Sequence, residues 1–343
     1  MGFLDFFRCD VAIDLGTANT VIIKNKEVVL DEPSIIAMER ATNKVIAVGS
    51  EAMNMHEKTH DDLKTIRPLK DGVIADFYAA EHMIKGMLKM IHGKNKNMFS
   101  PIIRKMVICI PSGITEVEKR AVNDSAENTG AREVYMVKEP IAAAVGIGID
   151  ISQPNGNMII DIGGGTAEIA VISLSGIVKN SSIKTAGDAF TLDILEHIKR
   201  KHNLLIGERT AEKIKIEVGS ATTFLENPPE NMKVAGRDLA TGKPKIIEIN
   251  YKETAEALNA SVAKIEHAIL NALESTPPTL IPDINQNGIH LTGGGALLKG
   301  LKERIAKATE LNVSVPNDPL YAVVKGTGII LSDIKKYASV LTK

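Results

Sequence analysis

Val11-Ala12-Ile13-Asp14-Leu15-Gly16-Thr17-Ala18-Asn19-Thr20 returns in altered form as Met158-Ile159-Ile160-Asp161-Ile162-Gly163-Gly164-Gly165-Thr166-Ala167. In both stretches an apolar run ends in Asp, a glycine-bearing turn with a Thr follows, and a second apolar run leaves it, Val21 to Ile23 in one and Ile169 to Ile172 in the other. The pattern predicts two β-hairpins, each with a carboxylate at its tip. Glycine lets a backbone approach a ligand closely and turn successive N–H groups toward an anion, while Asp holds a metal ion through water. Two such hairpins suit a clamp on a Mg-nucleoside phosphate, one from each half of a molecule.

The surrounding chain sets the scale. At 343 residues it exceeds what one core usually spans, so two or more domains are expected. Hydrophobic content of 44% and charged content of 24% are those of an ordinary globular protein. A formal net charge of -1 argues against a broad nucleic-acid surface. Cys9 and Cys109 make neither a disulfide framework nor a CxxC pair, which suits a reducing cytosol. No apolar run reaches the roughly 18 to 20 residues of a transmembrane helix, and the start of the chain lacks the apolar core and cleavage site of a signal peptide.

Strands are expected at 11–15, 20–24, 27–30, 34–38 and 44–48, with Asn25-Lys26 as a hairpin tip. A helix follows from Tyr78 to Ile91, where Met83, Ile84, Met87, Leu88 and Ile91 recur at threes and fours. Then come a strand over 106–110, a helix from Thr115 with a Thr115–Glu118 capping box, a strand over 133–137 and a buried helix over 139–149. The second half repeats this plan: strands 157–161, 167–173 and 177–184, helices 188–202 and 208–219, a strand-rich insert near 231–250 and a long helix 251–273. A last strand, 288–291, runs into Thr292-Gly293-Gly294-Gly295-Ala296 and a helix expected over 296–309, preceded by a loop marked by Pro277, Pro278 and Pro282. The βαβ alternation implies a partly parallel sheet, and the spacing of about 147 residues between Asp14 and Asp161 suggests a duplicated α/β domain.

Three glycine turns, at 16, 163–165 and 293–295, each follow a predicted strand, and the last is expected to open a helix whose free N–H groups face an anion or a ribose. Glycine turns are common connectors, but three in order, two with Asp, point to a phosphate site. There is no Walker A motif, kinase HRD or complete GxGxxG, so the site must be of the two-hairpin kind. His56-Glu57-Lys58-Thr59-His60 matches HExxH, a zinc motif when carried by a helix. Its neighbours Lys58, Asp61, Asp62 and Lys64 are polar, so a solvated surface helix is the reading preferred over zinc chemistry.

The ordered segments DLGTANT, EPSIIA, RPLKDGVIAD, PSGITEVEKRAV, EPIAAAVGIG, GNMIIDIGGGTAEIAVIS, AEKIKIEVGSA and TGGGALLKG, spread over residues 10 to 330, resemble the MreB family of bacterial actins. That family sits within the actin, sugar-kinase and heat-shock-chaperone ATPase superfamily. The resemblance implies an actin-like ATPase fold of two duplicated RNase H-like domains, each with a small insert, and a nucleotide cleft between them. The implied subdomains are IA (1–32, 79–145, 316–343), IB (33–78), IIA (146–180, 248–315) and IIB (181–247).

It also implies roles. Thr17, Ala18 and Asn19 form one phosphate loop and Gly163, Gly164, Gly165 and Thr166 the other, with Asp14 and Asp161 orienting the waters of a Mg²⁺ ion. The Glu212-Lys213-Ile214-Lys215 run and Gly293, Gly294, Gly295 and Ala296 make the purine and ribose pocket. On the residues alone, Glu212 and Lys215 read as readily as a solvated ion pair on a helix. Glu139, which precedes Pro140 at a helix start and so could serve as a plain helix cap, is the implied partner of the attacking water, assisted by Thr166. Ala167 departs from the Thr or Ser more usual in the family.

Phe3, Phe6 and Phe7 are expected to share one side of a helical turn, with Leu4 beside them, and Met98-Phe99 lies among Lys94, Lys96 and Arg104. Both segments read as membrane contacts, with packing against the first domain as the plain alternative. The function implied is a cell-shape-determining ATPase, using ATP or GTP with Mg²⁺, that forms filaments of paired protofilaments. The expected location is cytoplasmic, at the inner face of the cytoplasmic membrane, with RodZ and the wall-elongation machinery as partners and no nucleic acid. A soluble small-molecule kinase of the same superfamily is the alternative. A chaperone fits less well, because it would need an appended peptide-binding domain.

Overall fold

A computed structural model describes residues 8–91 and 102–343. The chain divides into two compact units, Met1–Pro154 with Ile172–Ile177 and Leu320–Lys343, and Asn155–Val171 with Val178–Pro319. The first unit begins with a meander of β1 (Arg8–Leu15), β2 (Asn19–Lys24) and β3 (Glu27–Pro33). β2 and β3 turn on Asn25 (φ 53°) and Lys26 (φ 69°), both left-handed, as a two-residue loop matched to strand twist requires. A small antiparallel sheet of β4 (Ile36–Glu39), β5 (Val45–Val48) and, after the short helix α1 (Ser50–Met55), β6 (Leu63–Ile66) follows, then the ribbon β7 (Leu69–Lys70) and β8 (Val73–Ile74). Helix α2 (Phe77–Ile91) lays Met83, Ile84, Met87 and Leu88 on the main sheet. Strand β9 (Ile102–Ile110), helix α3 (Glu116–Glu127), strand β10 (Glu133–Lys138) and helix α4 (Glu139–Gly146) complete this stretch, with β9 parallel to β1 and β10 parallel to β9. The Thr115–Glu118 capping box forms as the sequence predicts.

The second unit repeats the order. Strands β11 (Asn157–Ile162), β12 (Ala167–Ser173) and β13 (Gly176–Ile183) lie side by side, and β12 reaches β13 through Leu174 (φ 49°) and Ser175 (φ 60°). Helix α5 (Gly187–His202), strand β14 (Leu204–Leu205), helix α6 (Glu208–Val218), strands β15 (Met232–Asp238) and β16 (Pro244–Ile249) and helix α7 (Tyr251–Glu274) come next. Helix α8 (Ile281–Asn287), strand β17 (Ile289–Thr292), helix α9 (Leu301–Thr309) and strand β18 (Val313–Ser314) close the unit, with β17 parallel to β11 and β18 parallel to β17. The sheet order β3-β2-β1-β9-β10 therefore recurs as β13-β12-β11-β17-β18. The chain then returns to the first unit with helix α10 (Ala322–Ser332) and strand β19 (Leu341–Thr342), which pairs antiparallel with β10.

The central strands of the first sheet are covered on both faces, which is why residues 11–13, 21–23 and 106–110 are apolar without a break, whereas the edge strand β3 is mostly exposed. Val11, Ile13 and Leu15 of β1 join the core under α2, while Ala12 packs with Val21, Ile23 and Val324 on the other side. In the second unit, Phe190, Ile194 and Ile198 of α5 and Leu258, Val262, Ile265 and Ile269 of α7 pack on Met158, Ile160 and Ile162 of β11. Each such buried side chain contributes about 2 kcal/mol of hydrophobic stabilisation.

Three expectations are corrected. The helix expected over 296–309 does not start at the glycine turn: a 3₁₀ turn, Gly294–Leu297, comes first, and left-handed Gly300 (φ 75°) starts α9 at Leu301. The proline loop before the last strand contains α8, whose first turn takes Pro282. His56 to His60 lie beyond the end of α1 in turns, with Glu57 left-handed (φ 62°). The HExxH segment thus has no helical face on which to present two histidines. It is neither the zinc helix nor the solvated surface helix expected.

Candidate functional site

Within the first unit the strands β1, β9 and β10 end side by side, because Ile13 aligns with Ile108 and Ile108 with Met136. The carboxyl ends of parallel strands are where ligands of such sheets bind. Asp14 lies at that end on β1, and Glu139 at the same end, where β10 passes directly into α4. Pro140, early in α4, suits a position whose N–H has no helical partner, and the Glu139 carboxylate favours the positive helix end. Asp14 is not at the hairpin tip: it pairs with Val21, and the tip is Gly16 to Ala18.

This turn is braced from below. Ser34 Oγ donates to Gly16 O at 2.6 Å, Ser34 N–H to Ala18 O at 2.8 Å, and Gly72 N–H to the buried Thr17 hydroxyl at 3.0 Å. Asn19 Nδ2 donates to Asp31 Oδ1 at 2.9 Å, and Tyr321 Oη donates to the other oxygen of Asp31 at 2.9 Å. A Cβ on Gly16 would stand 2.6 Å from Asn19 O, so only glycine closes the loop this tightly. Ala18 and Asn19 are left at the surface.

The second unit builds the matching turn. Gly163 N–H donates to Thr166 O at 2.9 Å, closing Gly163-Gly164-Gly165-Thr166. Asp161 is buried at 6% exposure next to Thr292 of β17, whose hydroxyl donates to Asp161 Oδ1 at 2.8 Å. Burial pushes the Asp161 carboxyl up to about 6, against the Thr292 hydrogen bond, with the Glu168 charge adding to the rise. The third glycine turn packs against the end of β11. A Cβ on left-handed Gly293 would sit 2.4 Å from Ile162 O, and one on Gly295 2.2 Å from Ile162 Cγ2.

The 212–215 run separates. Lys215 and Glu212 pair at 2.7 Å, the ion pair that the residues alone suggest. Ile214 is fully buried in the hydrophobic core, and Lys213 pairs at 3.6 Å with Glu217 on the outer face. Helical geometry turns these two side chains onto other faces of α6 than the Glu212–Lys215 pair. Lys299 Nζ donates to the carbonyls of Ile216 and Glu217, both at 3.0 Å, and so ties the end of α6 to the segment after the third glycine turn.

Sequence reading missed Thr292, which directly precedes a recognised glycine turn, and Gly187, Thr191 and Lys299, for which no motif signals a role. Phe3, Leu4, Phe6, Phe7, Met98 and Phe99 lie outside the described residues. Among the described residues, no three His, Cys, Asp or Glu side chains converge to hold a metal, and no helix is long and apolar enough to cross a membrane. Asp14 and Asp161, each near the end of a strand, carry the hard carboxylate oxygens that Mg²⁺ takes as ligands.

Two copies of one sheet order, each with an Asp at the end of its first strand and a glycine turn beyond, define an actin-like ATPase fold. A family model described as MreB/Mbl protein matches residues 8–339. The cell shape-determining protein Mbl of Bacillus subtilis (strain 168) is 48% identical over 331 residues, covering 96% of this chain and 98% of its own length. The cell shape-determining protein MreB of Escherichia coli (strain K12) is 43% identical over 337 residues, covering 97% and 96%. Among solved structures, MreB5 of Spiroplasma citri bound to AMPPNP matches with a TM-score of 0.89 at 38% identity, covering 97% of this chain and 98% of that one. A MamK double helical filament, at 21% identity and a TM-score of 0.77, shares the fold. The chain belongs to the MreB/Mbl family. That membership decides against a small-molecule kinase of the same superfamily.

Proposed function

We propose that this protein is a cytoskeletal ATPase that binds Mg-ATP and assembles into membrane-associated filaments that organise lateral wall synthesis. The observation that carries this is the repeated Asp-then-glycine turn in a twice-used sheet, in a family with a member bound to AMPPNP and another structure of the same MreB5 bound to ADP. The four subdomains 1–32 with 79–145 and 316–343, 33–78, 146–180 with 248–315, and 181–247 follow from the same reading. Thr17, Ala18 and Asn19 on one side and Gly163 to Thr166 on the other hold the β- and γ-phosphates through backbone N–H groups. Glu212 and the Gly293–Ala296 turn face the ribose and purine, and ATP is the nucleotide favoured over GTP. Asp14 and Asp161 orient the waters of Mg²⁺, which when bound neutralises phosphate charge.

Glu139 orients the attacking water and accepts its proton, with Thr166 assisting, so catalysis rests on placement. Assembly couples to nucleotide state if the bound nucleotide alters how copies fit. Phe3, Leu4, Phe6, Phe7, Met98 and Phe99 supply the membrane contact, at the inner face of the cytoplasmic membrane, beside RodZ and the wall-elongation machinery. Copies pair as protofilaments.

Electron microscopy of the purified protein on a lipid monolayer tests the reading, with filaments expected with Mg-ATP and absent without nucleotide. In parallel, Glu139→Ala is expected to keep ATP binding while phosphate release drops by about a hundredfold or more, the usual worth of a general base. Unchanged turnover removes Glu139 from the mechanism, and ATP consumption without filaments sinks the cytoskeletal reading.

A further inference from the structure

Two peptide groups of the first glycine turn are held by one residue from a neighbouring strand. The last residue of β3, Pro33, lies opposite Asn19 and has no N–H to give. The donor at this point is Ser34, whose N–H reaches Ala18 O at 2.8 Å. The Ser34 hydroxyl reaches across the same turn and donates to Gly16 O at 2.6 Å. A second hydroxyl extends the chain, since Thr20 Oγ1 lies 2.9 Å from Ser34 Oγ. A hydroxyl has a single proton to donate. Ser34 gives its proton to Gly16 O, so Thr20 is the donor to Ser34.

A trans peptide is planar, with its C=O and N–H on opposite sides. Drawing Gly16 O toward Ser34 therefore turns Thr17 N–H the other way, and drawing Ala18 O toward Ser34 does the same for Asn19 N–H. The second glycine turn is held by the same device: Gly163 O accepts from Gly187 N–H at 3.1 Å and Gly164 O from Asp188 N–H at 2.7 Å. There both donors are main chain. In the first turn one of the two is a side chain, so a single substitution removes it. Ser34 and Thr20 are each 1% exposed, so both hydroxyls bond to protein groups rather than to bulk water, and a carbonyl that loses such a donor loses it at full cost.

We infer that Ser34 is a positioning residue for the first phosphate turn, its hydroxyl fixing the Gly16–Thr17 peptide so that Thr17 N–H faces the phosphates. The inference rests on the nucleotide reading of the site and adds to it a residue that touches no ligand. Thr20 supports Ser34 without setting the turn, because its bond ends on the serine oxygen and not on a carbonyl of the turn.

Displacement of a fluorescent ATP analogue by Mg-ATP and by adenosine, which has no phosphates, tests it, with denaturant melts alongside. Ser34→Ala is expected to weaken Mg-ATP about fivefold, the worth of one lost hydrogen bond, and to leave adenosine unchanged. Thr20→Val removes a buried hydroxyl from the same chain, and is expected to lose stability but to bind both competitors as the wild type does. Ser34→Cys fills the site with a weak donor, and is expected to fall between wild type and Ser34→Ala. Mg-ATP affinity at the wild-type value in Ser34→Ala, or in Ser34→Cys where the alanine variant does not fold, overturns the inference. So does an equal loss in Thr20→Val, which makes loosening of the buried chain the cause, or an equal loss for adenosine in Ser34→Ala. A wild-type protein that binds no Mg-ATP overturns the nucleotide reading itself.

Discussion

Asp161 is a carboxylate whose burial opposes its charge, and the consequence is readable in stability. Its ordinary value is 3.8, and in the folded protein it is pushed up to about 6. Between those values the folded chain holds a proton that the unfolded chain has lost, so stability falls as pH rises from about 4 to 6 and this contribution is flat above. Asp161→Asn keeps an oxygen to accept from Thr292 and removes the buried charge. In the nucleotide-free protein it is expected to add up to about 3 kcal/mol at pH 7.5, and nothing below pH 4, as measured by denaturant melts. An Asn variant no more stable than wild type at pH 7.5 shows that the ionised carboxylate is already compensated. Asp161 itself was legible from sequence because an Asp ends an apolar strand beside three glycines. Its partner Thr292 was not, because it lies 131 positions further along the chain.

Helices α4 and α10 meet backbone to backbone. A Cβ on Gly326 would fall 1.7 Å from Ala142 O, and one on Gly146 1.9 Å from Ala322 O. Neither contact can be relieved by a rotamer change, so Gly326→Ala must push the helices apart, at an expected cost of about 3 kcal/mol or more. Because α4 begins at Glu139, phosphate release should fall in the same variant. Gly148→Ala is the control: it has φ of +89° but nothing within 4 Å of a Cβ, so it should cost about 1 kcal/mol of backbone strain. Equal melts for the two variants would falsify the close crossing. The helix after Glu139 was readable from its run of Ala and Ile, whereas the crossing partner, in α10 near the end of the chain, carries no local signal. The reverse error occurred at 296–309, where an apolar stretch reads as one helix but Gly300, wedged with a Cβ position 2.4 Å from Thr222 Cγ2, splits it.

At the scale of the molecule, the duplication was visible in only two short hairpins, yet the whole strand order repeats. Sheet order depends on where apolar strands and turns fall, and many sequences satisfy that, so the order repeats without a close residue match outside the hairpins. The proposed membrane contact belongs to this scale too, since each copy would offer few apolar side chains and a filament would multiply them into avidity. Liposome pelleting with Mg-ATP should therefore drop at least tenfold for a Phe6→Ala, Phe7→Ala, Phe99→Ala variant, and equally for wild type held monomeric without nucleotide. Pelleting that survives both changes removes these residues from the membrane reading. The pairing of Met136 and Val137 with Thr342 and Leu341 bears on how the protein should be labelled. A fluorescent domain fused after Lys343 hangs directly on the outermost strand of the sheet whose neighbour, β10, delivers Glu139, so a defect in such a fusion reports on the tag as much as on the cell. The exposed bend between β15 and β16, residues 239–243, with open space around Gly242, is the safer place for a reporter.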